Sequence, residues 1–324
     1  MGVVPRRLIG TADPETRRRR VRRGLAEWRD ARPPRGLWPG LALPGVTWLV
    51  VFFAVPFYAV VALAAGQTDA FAEPIPEWNP IEWNLAAIGN AFTAILPGGD
   101  QWNPMWRTIK YVGLALAVCA LIGYPVAYYV ARHGGRRKGL LLLLLLAPFW
   151  ISYLMRMLAW LNLLQDDGYV NALAGPTPFL DKTAWLDGRW QTLVLGLVYG
   201  YIPFFILPLY AALDRIDARL VEASRDLGIG PARTFVRVTL PLSRQGLLAA
   251  GAITALPMFG DYYTQDLLSQ SPRTSMIGNQ IYTFLKSGAS KQTGAALVLS
   301  LSAFLAILMT YYLWSTNRAA SEVR

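Results

Sequence analysis

Two charged side chains lie inside stretches of sequence that are otherwise apolar. Arg156 falls within the run PFWISYLMRMLAWLNLL, and Asp261 follows Pro257 and Gly260 near the end of a later apolar run. Charged groups are costly inside a membrane unless they are paired or hydrated, so both are candidates for contact with a solute. Carboxylates beside phenol rings suit an organic cation, through charge pairing and cation–π contact. The candidate substrate-path residues are Trp150, Tyr153, Arg156, Asp261, Tyr262, Tyr263 and Asp266.

The same two charges also have structural roles open to them. Arg156 and Asp261 could neutralise each other as a pair, or the arginine could extend its side chain to the outer headgroups. Pro257 and Gly260 predict that the helix before Asp261 is broken, and broken helices are typical of binding cavities in transporters. The sequence leaves both the structural pair and the cavity open.

Residues that enzymes commonly use for catalysis are scarce in this chain. The single cysteine, Cys119, lies in an apolar run, where a small buried side chain is expected. The single histidine, His133, lies in a basic turn and is expected to be solvated. The chain also lacks the GxxxxGK[ST] motif with which a P-loop holds ATP. We therefore predict no enzymatic activity, no metal and no cofactor on this chain.

The composition indicates that much of the chain faces lipid. Of 324 residues, 54% are hydrophobic and only 16% are charged, whereas a soluble chain carries about 25% charged residues. A helix needs about 20 apolar residues to cross the hydrocarbon of a bilayer. We predict an all-α polytopic membrane protein with six transmembrane helices, at residues 43–65, 109–131, 140–164, 191–213, 246–263 and 293–315.

Basic residues are distributed unequally between the two sides that these spans define. The side that includes both termini holds 23 Lys and Arg, against 6 on the other side. Because Lys and Arg accumulate on the cytoplasmic side, both termini are predicted to be cytoplasmic. The predicted organisation is an arginine-rich tail over residues 1–40, expected to be disordered and to touch anionic lipid rather than nucleic acid, a six-helix transmembrane domain over 41–315 with a cytoplasmic loop at 214–245, and a C-terminal cytoplasmic tail over 316–324.

A charged segment, LVEASRDLGIGPARTFVRVTLP, occupies most of the cytoplasmic loop. Leu220, Ala223 and Leu227 follow helical spacing and form a narrow apolar stripe. Gly228 predicts the end of that helix, and Pro231 predicts the start of a second helix, which the following Leu-Pro pair should close. Two short helices joined at a glycine are typical of a docking element, although a simple connector has the same periodicity.

The loop resembles the EAA signature of the membrane subunits of bacterial ABC importers. The resemblance rests on Glu222-Ala223-Ser224, on Gly228 after three further residues, and on Leu240-Pro241. Ser224 stands where the family usually has a second Ala, and Val238 where it usually has Ile. In that family the loop is a coupling helix that inserts into a groove on a separate ATPase. The coupling residues that the resemblance implies are Leu220, Glu222, Ala223, Ser224, Leu227, Gly228, Leu240 and Pro241.

A wider part of the chain, at residues 147–156, 197–210 and 256–281, resembles the first membrane subunit of spermidine/putrescine importers. The resemblance implies a permease subunit in the bacterial inner membrane that works by alternating access. It also implies three partners: P-loop ATPase subunits that hold ATP and Mg, a second permease subunit, expected to be a different chain with a second copy of this chain as the alternative, and an external substrate-binding protein. A permease for another small solute and a self-contained secondary transporter are the alternatives.

Overall fold

A computed structural model of the chain describes residues 37–69, 73–174, 184–287 and 291–321. Most of the predicted arginine-rich tail and the last three residues of the predicted C-terminal tail lie outside the described residues. The chain divides into two units, Met1–Ala59 and Val60–Arg324. The functional residues that the sequence indicates all belong to the second unit.

The described residues are almost entirely helical, in agreement with the predicted fold class. Two short strands, β1 (Gln67–Thr68) and β2 (Pro74–Ile75), form an antiparallel pair in which Gln67 lies opposite Ile75. The α-helices are α1 (Leu37–Leu49), α2 (Val55–Ala64), α3 (Leu85–Ala94), α4 (Trp102–His133), α5 (Lys138–Leu146), α6 (Tyr153–Leu164), α7 (Tyr169–Ala174), α8 (Trp190–Asp214), α9 (Ala218–Asp226), α10 (Pro231–Thr234), α11 (Leu240–Phe259), α12 (Tyr263–Leu268), α13 (Ile277–Lys286) and α14 (Lys291–Ser321).

Four of the six predicted spans are unbroken helical segments long and apolar enough to cross a membrane. They run over Gly40–Ala64, Trp102–His133, Trp190–Asp214 and Lys291–Trp314. A fifth crossing is present if the bent pair Gly135–Trp150 and Tyr153–Leu173 counts as one span. The remaining predicted span corresponds to α11, which has 20 residues but less apolar character than the others. The six-helix prediction is therefore compatible with the structure.

The predicted third span, at residues 140–164, is not one straight helix. It bends by 80° between α5 and α6. A short 3-10 segment, Ala147–Trp150, contains Pro148 and ends α5, because proline lacks the N–H that an α-helix needs. Ser152 then caps α6 by accepting a hydrogen bond from the Met155 N–H at 3.3 Å. The sequence contained both signals, but its apolar length concealed the break.

Two five-residue π-helical segments occur at matching positions before prolines. Val50–Ala54 ends two residues before Pro56, and Phe235–Thr239 ends two residues before Pro241. Proline cannot donate a backbone hydrogen bond, and a local π-helical turn lets the chain continue as a helix around it. The prediction that Leu240-Pro241 closes the second loop helix is therefore wrong, since the helix continues into α11.

Helix α8 is the centre of the second unit and packs between α4 and α11. Glycines make these approaches close. A Cβ on Gly123 of α4 would lie 3.1 Å from side-chain atoms of Phe205 and Ile206 on α8. A Cβ on Gly246 of α11 would lie 2.1 Å from the Cβ of Ala212 on α8. Small residues at such contacts are the usual means of tight helix packing in membranes.

Candidate functional site

The loop between α8 and α11 has the two-helix form that its sequence predicts. Asp217 caps α9 by accepting a hydrogen bond from the Arg219 N–H at 3.0 Å. After α9, Gly228 has a φ of +76°, a left-handed conformation in which glycine carries no steric penalty. Its N–H bonds the Arg225 carbonyl at 2.8 Å, and α10 then begins at Pro231. The predicted end at Gly228 and restart at Pro231 are both confirmed.

A buried hydrogen bond joins the two short helices of this loop. The hydroxyl of Ser224 on α9 lies 3.0 Å from the hydroxyl of Thr234 on α10, and both residues are buried. The Thr234 hydroxyl also lies 3.2 Å from the Ile229 carbonyl, which it can reach as a donor. Ser224 is one of the two positions at which the loop departs from the EAA pattern, and here the serine hydroxyl links the two helices.

The predicted apolar stripe of the loop is accessible. Leu227 is 80% exposed and Leu220 is also exposed. Together with Ala223, Val238 and Pro241, they line an apolar depression of about 490 Å³. An exposed apolar depression on a charged loop is suited to a protein partner. Its use as the ATPase-docking face stays a prediction.

Glu222 does not form the ion pair that its spacing predicts. Residues three apart on a helix are neighbours, so spacing alone would pair Glu222 with Arg219 or Arg225. Among the residues that the structure describes, the only ion pair within 4.0 Å joins Lys138 and Asp214, at 2.5 Å. Glu222 is exposed on α9, which leaves its carboxylate accessible from outside the chain.

An aromatic contact that the sequence did not indicate fixes the loop to α4. The ring of Phe235 meets the rings of Tyr124 and Tyr128 edge to face, at centroid distances of 5.4 and 5.8 Å. The Tyr124 hydroxyl lies 2.7 Å from the hydroxyl of Ser243 on α11. In addition, Arg132 donates to the Ile216 carbonyl at 3.0 Å. The loop is thus joined to α4 by contacts on both sides of α9.

Arg156 lies in an aromatic cage rather than in an ion pair. Its guanidinium carbon is 4.4 Å from the Phe149 ring centroid, 5.5 Å from that of Tyr153 and 5.8 Å from that of Tyr199. Its Nε and Nη1 atoms are buried and have no hydrogen-bond partner among the described residues. The pairing of Arg156 with Asp261, one of the roles that the sequence left open, does not occur among the described residues.

Asp261 is a buried structural carboxylate. It is 5% exposed and accepts hydrogen bonds from the Tyr153 hydroxyl at 2.8 Å, the Thr264 N–H at 3.0 Å and the Thr264 hydroxyl at 2.6 Å. Gly200 makes room for this arrangement, because a Cβ there would lie 2.6 Å from the Tyr153 ring. The contacts tie α6 to α12, and they account for the Asp261 charge without a solute.

The remaining candidates lie on more accessible surface. Tyr262 stacks on Tyr263 at a centroid distance of 4.1 Å and on Tyr282 at 4.4 Å. Asp266 is exposed one turn further along α12, and Trp150 is 77% exposed. The seven candidates therefore do not form one site. Tyr282 was missed because it lies on α13, which reads as an ordinary amphipathic segment.

Comparison with known proteins gives one family match and several relatives. The family described as "Binding-protein-dependent transport system inner membrane component" matches residues 121–320. The spermidine/putrescine transport system permease protein PotB of Haemophilus influenzae is 31% identical over 269 residues, covering 82% of this chain and 89% of that protein. PotB of Escherichia coli strain K12 is 31% identical over 209 residues, covering 64% of this chain and 75% of that protein.

A solved structure shares the fold. The crystal structure of a bacterial ABC transporter involved in the import of the acidic polysaccharide alginate matches with a TM-score of 0.61 and 18% identity. The match covers 90% of this chain and 99% of that chain. At this identity the likeness concerns the fold alone.

Proposed function

The chain belongs to the family of inner membrane components of binding-protein-dependent transport systems, and on that premise we propose that it is the permease subunit of an ATP-driven polyamine importer. It is a transport component rather than an enzyme. The substrate assignment rests on one observation, the match along most of the chain to a protein named as a spermidine/putrescine permease. An organic cation also fits the exposed ring of Tyr263 and the exposed carboxylate of Asp266 on α12.

In this proposal the chain is oriented with both termini in the cytoplasm. The excess of Lys and Arg on that side supports the orientation. The loop around α9 then faces the cytosol, while α12 and α13 lie at the opposite side of the membrane. The arginine-rich N-terminal residues would lie at the anionic inner surface.

The proposed partners follow from what this chain lacks and exposes. It has no P-loop, so ATP and Mg belong to separate ATPase subunits. The exposed apolar depression beside Leu220 and Leu227 receives those subunits. A second permease subunit completes the translocation path, and an external binding protein delivers the solute.

The proposed mechanism is alternating access. Closure of the ATPase dimer displaces the loop, and the contacts of Phe235 with Tyr124 and Tyr128 transmit that displacement to α4. The Ser224–Thr234 hydrogen bond keeps α9 and α10 together during the movement. The bundle then opens outward, and ATP hydrolysis returns it.

The test is purification of the detergent-solubilised chain followed by an ATPase assay of the complex that co-purifies. Spermidine, putrescine and the external binding protein are added separately and together. ATPase activity stimulated by polyamine-loaded binding protein is the expected result. ATPase stimulation that does not depend on polyamines would exclude polyamines as the substrate but agree with an ATP-driven importer. Transport by this chain alone, driven by an ion gradient, would instead show that it is a secondary transporter.

A further inference from the structure

A polar cavity of about 480 Å³ lies between α12, the turn that follows it and α13. Asp266 is the only charged residue that lines the cavity among the described residues. Arg107, which approaches from α4, donates to the Pro272 carbonyl at 2.8 Å and is held there. The cavity thus combines one accessible carboxylate with neutral polar groups.

Gln265, a lining residue of this cavity, has one side-chain oxygen with no hydrogen-bond partner among the described residues. The residue is 4% exposed and lines the cavity. Its Nε2 donates to the Ser271 carbonyl at 3.4 Å, which fixes the orientation of the amide. Its Oε1 is buried and accepts no hydrogen bond from the described residues. Buried polar atoms are nearly always hydrogen-bonded, so this carbonyl oxygen is a candidate acceptor for a donor that enters beside it.

The turn at the edge of the cavity is held in an unusual conformation. Gln270 has a φ of +42°, and it is the only described non-glycine residue with a positive φ. Its N–H bonds the Gln265 carbonyl at 3.0 Å, which holds the turn in place. Residues in such conformations cluster at ligand-binding positions, because the surrounding structure must stabilise them. Here the conformation exposes the Gln270 side chain on the cavity rim.

We propose that this cavity binds a primary ammonium group at the outer end of the translocation path. The proposal rests on the proposed function, since it places one amine of a polyamine there. An ammonium has three donors and no acceptor, which matches a carboxylate beside amide oxygens. Asp266 pairs with the charge, and Gln265 and Gln270 accept hydrogen bonds.

The tyrosine stack extends the site towards the rest of such a solute. Tyr263 begins α12 three residues before Asp266, so these two residues lie on the same side of that helix, and Tyr262 directly precedes the helix. Tyr263 is exposed, and its ring offers a face for methylene groups or a second amine. Asp261 is not available for this role, because it is buried and already accepts three hydrogen bonds.

The direct test measures the charge preference of the cavity without relying on transport. In a Cys119→Ala background of the assembled complex, Thr283→Cys places a thiol on the cavity wall. Thr93→Cys on α3 is the matched control, because both threonines are exposed and both bond a helix carbonyl at 2.9 Å. A cationic methanethiosulfonate should modify Cys at 283 about tenfold faster than an anionic one of similar size.

Asp266→Asn should remove that preference, and millimolar putrescine should slow the cationic reagent at position 283 but not at position 93. In transport assays the same variant should raise the KM for putrescine about fivefold with little change in the maximal rate. If both reagents modify position 283 at equal rates in a complex that still transports polyamine, the cavity is not an ammonium site, although the proposed function stands. Faster modification by the cationic reagent, with no protection by putrescine and no polyamine transport, would support a cation site but contradict polyamine as the substrate and with it the proposed function.

Discussion

At the scale of single residues, the three charges near the broken helices have different environments. Arg156 is surrounded by aromatic rings, Asp261 by three hydrogen-bond donors, and Asp266 by solvent and a cavity. A charge enclosed by groups of the fold is not free to bind a ligand, whereas an accessible one is. The difference between Asp261 and Asp266 therefore separates a structural role from a binding role.

Asp261→Ala should destabilise the folded protein. The change leaves the buried Thr264 N–H without its acceptor and removes the carboxylate that the Tyr153 and Thr264 hydroxyls share, so that these two hydroxyls keep only each other. Such a loss costs about 1–3 kcal/mol for each group, so the apparent unfolding temperature should fall by several degrees. Thermal unfolding in detergent, followed by intrinsic fluorescence, measures it. Asp266→Ala serves as the control and should unfold at the wild-type temperature, and equal temperatures for both variants would contradict the structural role.

The sequence located these charges but could not assign their roles. Spacing along the chain brought Asp261 close to Tyr262 and Tyr263, but it did not show that Asp261 bonds Tyr153, another candidate, which lies 108 residues away. The cage around Arg156 combines α6 with Tyr199 on α8, so it too depends on the fold. Local signals such as Gly228 and Pro231 were reliable because their backbone preferences act without distant partners.

At the scale of elements, Gly228 is required for its backbone conformation and not for space. A Cβ at this position would meet nothing within 4 Å, yet φ is +76°. Gly228→Val should therefore strain the turn between α9 and α10 and reduce binding-protein-stimulated ATPase activity by about tenfold, with membrane insertion unchanged. Gly228→Asn is the matched control, since asparagine tolerates this conformation. Wild-type stimulation in the valine variant would refute the coupling role of the loop.

The aromatic contact of Phe235 gives a second prediction about the same element. Edge-to-face pairs contribute about 0.5–1.5 kcal/mol each beyond burial, so Phe235→Ala should loosen the loop from α4. Basal ATPase activity should persist, while the amount of solute transported per ATP falls severalfold. Phe235→Tyr keeps the ring and should preserve the ratio. An unchanged ratio in the alanine variant would show that α4 follows the loop through other contacts, such as Arg132 with the Ile216 carbonyl.

At the scale of the whole molecule, hydropathy predicted the positions of the membrane-spanning segments better than the bends and irregular turns within them. Four spans coincide with long helices because apolar length alone determines them. The 80° bend near Ser152 and the π-helical segment before Pro241 depend on which backbone N–H and C=O groups can find hydrogen-bond partners. Gly123 and Gly246 permit close packing, and their partners on α8 are not readable from local sequence.

The predicted orientation can be tested with single cysteines in a Cys119→Ala background. Arg225→Cys lies on the exposed face of α9, and Thr93→Cys lies on α3, on the opposite predicted side. Because Lys and Arg concentrate on the cytoplasmic side, a membrane-impermeant maleimide added to intact spheroplasts should label position 93 and spare position 225. Inside-out vesicles should give the reverse pattern, and detergent should expose both. Labelling of position 225 in spheroplasts would place the loop outside, where no ATPase could reach it, and would remove the physical basis for ATP-driven coupling through α9.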